Sequence, residues 1–430
     1  MGRYAEATEL LTLAQKAAVP DPLVAYHLAH FSQQTGDAAQ ALAYAQQGAA
    51  TPLATFFANR LADIAALQLA TDLNPADAHA PYLLGNLWYD KRQYDEAIAA
   101  WELAAFRNPT FPTAWRNLGL AYFNKRHAPE KALECYEKAF ALDPTDARVL
   151  MELTQLYRRL NSPAADQLAL LEAHPALVEF RDDLYLEHAA LHNQLGQPER
   201  AYELLLTRQF HPWEGGEGKV SGEYLRSLTE LAKQALHAGQ PGTAVARLTR
   251  ALAPNYPPNL GEGKLPGAPE NELHYWLGCA YAALGQPEAA QTAWQHATAG
   301  RSEPAAALFY NDAPPDQIFY QGLAWRQLGN EARSEAIFDR LLAYGQQHLA
   351  DDVKLDYFAV SLPDLLVFED DLSRRNALHC RYLMGLGYLG LGQLPEAETA
   401  LTAVLAQDQR HPGAQVHLQL LRQPTTLLSA

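Results

Sequence analysis

The sequence has few of the residues that define several large classes of protein. Its three cysteines in 430 residues are far apart and have no CxxC spacing, which argues against a disulfide framework and a structural zinc site. No apolar run approaches the roughly 20 residues that cross a bilayer, and no basic-then-apolar secretion leader opens the chain. These absences predict a cytoplasmic protein with buried free thiols.

Positive charge is also scarce. The chain has 33 basic against 49 acidic residues, a formal net charge of -16, and no run of Lys or Arg. Such a field repels phosphate backbones and anionic lipid, so neither nucleic acid nor a membrane is an expected partner. The sequence has no P-loop, no GxGxxG after a strand and no GxSxG, and we expect no cofactor.

A recurring phrase is the most informative feature present. One copy contains Leu84, Gly85, Trp88, Ala97, Trp101, Ala104 and Pro109, and the next contains Leu118, Gly119, Tyr122, Ala132, Tyr136, Ala139 and Pro144. An interval of about 34 residues with these types resembles the tetratricopeptide repeat, a helix-turn-helix unit. Small residues let the paired helices approach, and the aromatics are expected to be core. Gly-x-Pro turns at Gly196, Gly239 and Gly285 are expected to end one helix and start the next.

The resemblance implies an all-α, right-handed superhelical solenoid forming one continuous domain over residues 1–430. We divide it into a half repeat (1–20), N-terminal repeats (21–207), repeats with Gly/Pro-rich loops (208–317), and C-terminal repeats with a closing helix (318–430). Residues 51–75 depart from the pattern, with an apolar helix expected from Phe56 to Leu73. Because the chain opens on a half repeat, we expect it to be the C-terminal part of a longer protein.

Four insertions interrupt the repeats, at 208–224, 254–271, 303–317 and 351–376, and loops of this kind often carry function. Two contain the same tetrapeptide, Gly-Glu-Gly-Lys, at 216–219 and 261–264, and stacking is expected to bring them together. The loops offer aromatic faces beside charged and amide groups, which suit a sugar or a polar peptide. The candidate ligand-binding residues are Trp213, Glu214, Glu217, Lys219, Glu262, Lys264, Tyr310, Asn311 and Asp312. The alternative is that these loops only cap and brace the helices.

The insertions resemble those of bacterial tetratricopeptide proteins that carry an N-terminal domain called DUF5107. The similar stretches are 211–219, 263–269, 310–312 and 356–366. The resemblance implies an N-terminal β domain like that of sugar mutarotases, which this chain does not contain. It suggests an alternative function in which the loops complete a carbohydrate-binding or glycoside-processing site.

Catalysis and metal binding have little support in the sequence. Glu214 and Glu217 are the only candidates for a glycosidase acid and base, and spacing alone shows neither their separation nor a raised pKa. His27 with His30, and His188 with His192, share helix faces, but no third ligand is evident. We therefore predict no metal site, and we expect this chain alone to be a binding module, with a glycoside-processing role in a longer protein as the alternative.

First helices of neighbouring repeats are expected to line a concave groove. Asn86 and Asn117 match positions of the clamp that some of these proteins use for a peptide carboxylate, but Tyr82 stands where a Lys is needed, so the clamp is incomplete. The candidate groove residues are Tyr82, Asn86, Tyr89, Arg116 and Phe123. The function predicted is a scaffold that binds a protein or peptide, or its own N-terminal domain, with carbohydrate as the alternative ligand.

Overall fold

The structure, a computed structural model, describes residues 3–17, 20–53, 56–213, 215–264, 268–306, 314–354 and 367–422. All regular structure in these residues is helical, with 22 α-helices, one 3-10 turn at Pro258–Leu260 and no strand. The predicted all-α solenoid of paired helices is confirmed. The chain divides into two compact units, residues 1–156 with 366–369, and residues 157–365 with 370–430. The sub-ranges that we drew from the sequence stay predictions.

The first unit is a row of paired helices. Its helices are α1 (Tyr4–Ala17), α2 (Pro22–Gln34), α3 (Ala38–Ala50), α4 (Leu61–Leu73), α5 (His79–Asp90), α6 (Tyr94–Arg107), α7 (Pro112–Arg126), α8 (Pro129–Leu142) and the greater part of α9 (Ala147–Arg159). Helix α5 packs on α6 and α7 on α8, and α6 in turn packs on α7. The two repeats that are clearest in the sequence are therefore two consecutive helix pairs.

The second unit continues the same plan. Its helices are α10 (Ala164–Glu172), α11 (Pro175–Phe180), α12 (Asp182–Gln194), α13 (Pro198–Thr207), α14 (Lys219–His237), α15 (Pro241–Ala251), α16 (Asn271–Ala283), α17 (Pro287–Ala297), α18 (Pro315–Gln327), α19 (Glu331–His348), α20 (Leu372–Gly390), α21 (Leu394–Gln407) and α22 (Pro412–Arg422). From α12 to α21, each even-numbered helix packs on the odd-numbered helix that follows it. In every pair, including α5 with α6 and α7 with α8, we call the earlier helix the first helix and the later one the second helix.

A glycine on the first helix meets a large side chain on the second. A Cβ added at Gly119 would lie 2.6 Å from the ring of Tyr136, and one at Gly85 would lie 2.5 Å from the ring of Trp101. The same relation joins Gly278 to Trp294. Tyr136 and Trp101 are almost fully buried, which confirms that these aromatics are core.

The Gly-x-Pro turns behave as predicted. Gly196, Gly239 and Gly285 all have positive φ, between 68° and 74°, a region that strongly favours glycine. The proline two positions later is in each case the first residue of the next helix, where its missing N–H costs no hydrogen bond.

The departure at 51–75 differs in detail from the expected helix. Helix α4 begins at Leu61, five residues later than the sequence suggested. The Asp63 carboxylate accepts hydrogen bonds from the backbone N–H groups of Asn59 and Arg60, and this cap fixes the start of the helix. None of the described helices combines the length and apolar character that crossing a membrane requires.

The glycine contacts generate a stability prediction. Gly278→Ala places a methyl group against the buried Trp294 ring, so we expect a loss of about 1–3 kcal/mol in unfolding free energy from overpacking. Gly222→Ala, also helical and in the same unit, meets nothing within 4 Å and is expected to stabilise by up to about 1 kcal/mol. Urea titration followed by far-UV circular dichroism measures both. Equal effects of the two substitutions would contradict the packing argument.

Candidate functional site

The groove residues predicted from the sequence lie on α5 and α7, which are joined by side-chain hydrogen bonds. Asn86 Oδ1 accepts from Trp101 Nε1 at 3.0 Å and from Asn117 Nδ2 at 3.0 Å. Tyr82 packs on Phe111, with ring centroids 4.8 Å apart. The Asn86 carboxamide thus links the second helix of its own pair to the first helix of the next.

Arg116 leads from α7 to α9. Its Nε and Nη2 each donate to the carboxylate of Glu152 at 2.6 Å, a two-pronged ion pair. Glu152 is fully buried and also accepts from Tyr136 Oη at 3.0 Å. Burial by itself would raise the pKa of Glu152, but Arg116 and Arg148 hold that pKa below its usual value. Glu152 was not among the residues predicted from the sequence. It lies 36 residues after Arg116, about one repeat, so the repeat spacing could have indicated it.

A short segment from far along the chain lies against α7. Asn124 Nδ2 donates to the carbonyl of Val367 at 2.8 Å, and the N–H of Glu369 donates to Asn124 Oδ1 at 2.9 Å. The Asn124 carboxamide therefore bonds to the carbonyl at the start and the N–H at the end of a three-residue stretch. We call residues 367–369 the groove segment, and the surface of α7 and α8 that holds it the first-unit groove.

The side chains of the groove segment are bound as well. Phe368 is 1% exposed, and its ring centroid lies 4.9 Å from that of Phe123 and 5.6 Å from that of Tyr136. Lys125 Nζ forms an ion pair with the carboxylate of Glu369. The groove thus combines backbone hydrogen bonds, an aromatic pocket and a cation, which are the elements that bind an extended, aromatic and acidic peptide.

The two Gly-Glu-Gly-Lys loops are adjacent, as predicted, and their side chains hold helix ends. Glu262 accepts from the N–H of Gly218 at 2.7 Å and of Ser221 at 2.5 Å, at the start of α14. Lys264 Nζ donates to the carbonyls of Leu252 and Ala253, just past the end of α15. A carboxylate at a helix N-terminus and an ammonium at a C-terminus both stabilise the helix dipole.

The other predicted loop residues are described only in part. Trp213 packs over Gly216, and Glu217 and Lys219 are exposed at the start of α14. Glu214, Tyr310, Asn311 and Asp312 lie outside the described residues. The proposed ligand-binding role of these loops stays a prediction.

In the second unit the corresponding face of the helices is filled. Lys233 of α14 lies 2.9 Å from carboxylate oxygens of both Glu230 and Glu272, the latter on α16. Tyr382 of α20 is hydrogen-bonded to His417 of α22 at 3.1 Å. His417 is 1% exposed, and its ring also contacts Phe319 and Tyr320 of α18. The first helices α18 and α20 therefore both contact the last helix of their unit.

Comparison with known proteins identifies the repeats. The tetratricopeptide repeat family matches residues 56–110, 112–146 and 272–299. The chain carries tetratricopeptide repeats. The first two matches include α5 to α8 and so contain the helices of the first-unit groove, and the third contains α16 and α17.

The similarity to known proteins covers only part of this chain or part of theirs. The peroxisomal targeting signal receptor of Saccharomyces cerevisiae is 33% identical over 87 residues, which are 20% of this chain and 14% of the receptor. Among solved structures, Naa15/Naa10 bound to HypK-THB is 12% identical, covers 85% of this chain and 64% of its own, and has a TM-score of 0.38. YrrB, described as having an unusual peptide-binding site, is 15% identical, covers 43% of this chain and 90% of its own, and has a TM-score of 0.33.

The two arginines that pair with Glu152 give a matched test of the repeat interface. Arg116 is 15% exposed and Arg148 is 63% exposed. Arg116→Met leaves a buried carboxylate without its buried partner, so we expect a loss of about 3 kcal/mol or more in unfolding free energy. Arg148→Met, which removes an exposed partner, is expected to cost less than about 1 kcal/mol. Urea denaturation measures the unfolding free energy of both variants. Similar losses in the two would contradict the assignment of Arg116 as the buried partner of Glu152.

His417 predicts a pH dependence of the second unit. Burial lowers the pKa of His417 to about 4, so between its ordinary pKa of 6.5 and pH 4 the unfolded chain binds a proton that the folded chain does not. The histidine therefore removes stability as the pH falls through this window, by up to about 3 kcal/mol.

Asp316 works in the opposite direction. Its pKa is raised to about 6, first by burial and then by Glu272, so the folded state gains stability as pH falls from 6 to 3.8. Comparing wild type with His417→Gln, in which Asp316 is the same, isolates the histidine. Wild type, but not His417→Gln, loses stability through the histidine as the pH falls. We therefore expect the difference in stability between the two proteins, measured by thermal denaturation, to narrow from pH 7 to pH 4. Parallel plots of stability against pH would refute the assignment.

Proposed function

We propose that this chain is a non-enzymatic scaffold whose first-unit groove binds an extended segment of a partner protein. The observation that supports the proposal is the paired hydrogen bonding of Asn124 to the backbone of residues 367–369, with Phe368 buried beside it. Tetratricopeptide repeats are commonly built to hold protein segments, and this groove already holds one.

The contacts define the partner's chemistry. Asn124 binds any extended backbone and selects no sequence by itself. The pocket of Phe123 and Tyr136 requires an aromatic residue, and Lys125 favours an acidic residue immediately after it. The partner segment is therefore aromatic followed by acidic, and it replaces the groove segment when it binds.

The other hypotheses from the sequence have less support. The resemblance to DUF5107 proteins places a candidate partner in an N-terminal β domain of the same protein, and this stays a prediction. A carbohydrate site at the loops also stays a prediction. Two of its polar groups, Glu262 and Lys264, are engaged in holding the ends of α14 and α15.

A competition experiment tests the groove. Phe368→Ala removes the aromatic side chain that fills the pocket, so a fluorescent peptide with the sequence of residues 363–373 is expected to bind this variant at least about tenfold more tightly than wild type, a difference of about 1.4 kcal/mol. Adding Asn124→Ala to the variant is expected to abolish the gain. Fluorescence anisotropy measures binding, and circular dichroism verifies that each variant is folded.

Two controls accompany this experiment. Phe106→Ala removes a phenylalanine that is 81% exposed in the same unit, and it is expected to leave peptide affinity at the wild-type value. A peptide in which the residue equivalent to Phe368 is alanine is expected not to bind. Failure of the unmodified peptide to bind folded Phe368→Ala protein at tens of micromolar would rule out the groove as a peptide site.

A further inference from the structure

Three metal-ligating side chains meet in the second unit. Glu172 is the last residue of α10, and His188 and His192 lie one turn apart on α12. One potential ligand atom from each lies within 4.8 Å of those of the other two, and the imidazole ring centroids are 4.9 Å apart. This is the one such group of three among the residues that the structure describes.

The hydrogen bond of His192 defines its tautomer. His192 Nδ1 lies 2.7 Å from the carboxamide oxygen of Gln197, so that Nδ1–H donates to Gln197 and Nε2 carries the free lone pair. A second group that fixes the tautomer in this way is the usual companion of a metal-bound histidine. Gln197 belongs to the Gly-x-Pro turn before α13, and its backbone N–H also donates to the carbonyl of His192 at 2.9 Å.

A buried polar atom in the same cluster has no partner. His188 Nε2 is buried and forms no hydrogen bond with any described residue. Burying such an atom unpaired is unfavourable, and native proteins rarely leave one without a function or a ligand.

We propose that Glu172, His188 and His192 bind a divalent transition-metal ion of the Zn²⁺ type. Two imidazoles and one carboxylate form a set that such ions favour, and a fourth position remains for water or for a side chain of a partner. Ligand bonds of about 2.0–2.2 Å place tetrahedral ligand atoms about 3.4 Å apart. The three side chains must therefore draw together by about an ångström, and Glu172, which is exposed, has the freedom to do so.

A bound ion joins α10 to α12 across the short helix α11. The sequence spacing gives no sign of this group because Glu172 lies on a different helix from the histidines. The i, i+4 spacing of the two histidines does not indicate which of the chain's many carboxylates lies beside them.

Zinc titration tests the proposal. After dialysis against a chelator, the full chain is titrated with Zn²⁺ in a calorimeter, and we expect one site per chain. Glu172→Gln, at an exposed position that should not disturb folding, is expected to weaken binding at least tenfold. Gln197→Ala, which frees the His192 ring without removing a ligand, is expected to weaken it about tenfold. Co²⁺ in place of Zn²⁺ gives a visible spectrum that reports the coordination geometry.

The chain offers a matched control. His274 and His296 are also neighbouring imidazoles, with ring centroids 5.1 Å apart, and they belong to no group of three ligands in the described structure. His296→Gln is expected to leave zinc affinity unchanged. Absence of a one-to-one site at micromolar zinc, or an equal loss in His296→Gln and Glu172→Gln, overturns the proposal. His192→Gln is not needed for the decision, since His192 is 6% exposed and its replacement also disturbs packing.

Discussion

Close contact between a helical glycine and the ring of the following helix determines how the pairs are built. Gly85 meets Trp101, Gly119 meets Tyr136, and Gly278 meets Trp294, each with no room for a Cβ atom. The ring fills the space that the missing side chain leaves, which fixes the separation and the rotation of the two helices. The first helices are then aligned from pair to pair along one face. The alignment lets Asn86 bond to Asn117 and Arg116 bond to Glu152.

The two units use this aligned face differently. In the first unit it holds three residues in extended form, through backbone hydrogen bonds and one buried ring, and such contacts are replaceable by a similar segment. In the second unit His417 of α22 contacts side chains of α18 and α20. This difference is why we assign partner binding to the first unit. Repeats of one kind therefore do not all leave this face open to a partner.

Local pattern was enough to predict the helix pairs, their turns and the meeting of the two Gly-Glu-Gly-Lys loops, because each depends on residues within about one repeat of one another. The hydrogen bonds of Asn86 and Arg116 also join residues within about one repeat, and the groove role expected for both stays a prediction. The contacts that hold the groove segment could not be predicted from the local pattern. Asn124 meets Glu369 across 245 positions, and periodicity carries no information about such a distance. Glu172 was missed likewise, since its relation to His188 depends on how α10 folds over α12.

The end of the second unit returns to its beginning. Arg410 is 6% exposed and donates to Gln167 at 2.7 Å and to Gln194 at 2.6 Å, while Asn161 bonds to the backbone of Ala406 and Gln409. An open array of repeats loses its terminal members first, because they have a neighbour on one side only. A unit whose first and last helices are tied together has no such terminal member. Melting of this half must then begin by parting a junction between residues 243 positions apart, which favours all-or-none loss of structure over gradual fraying.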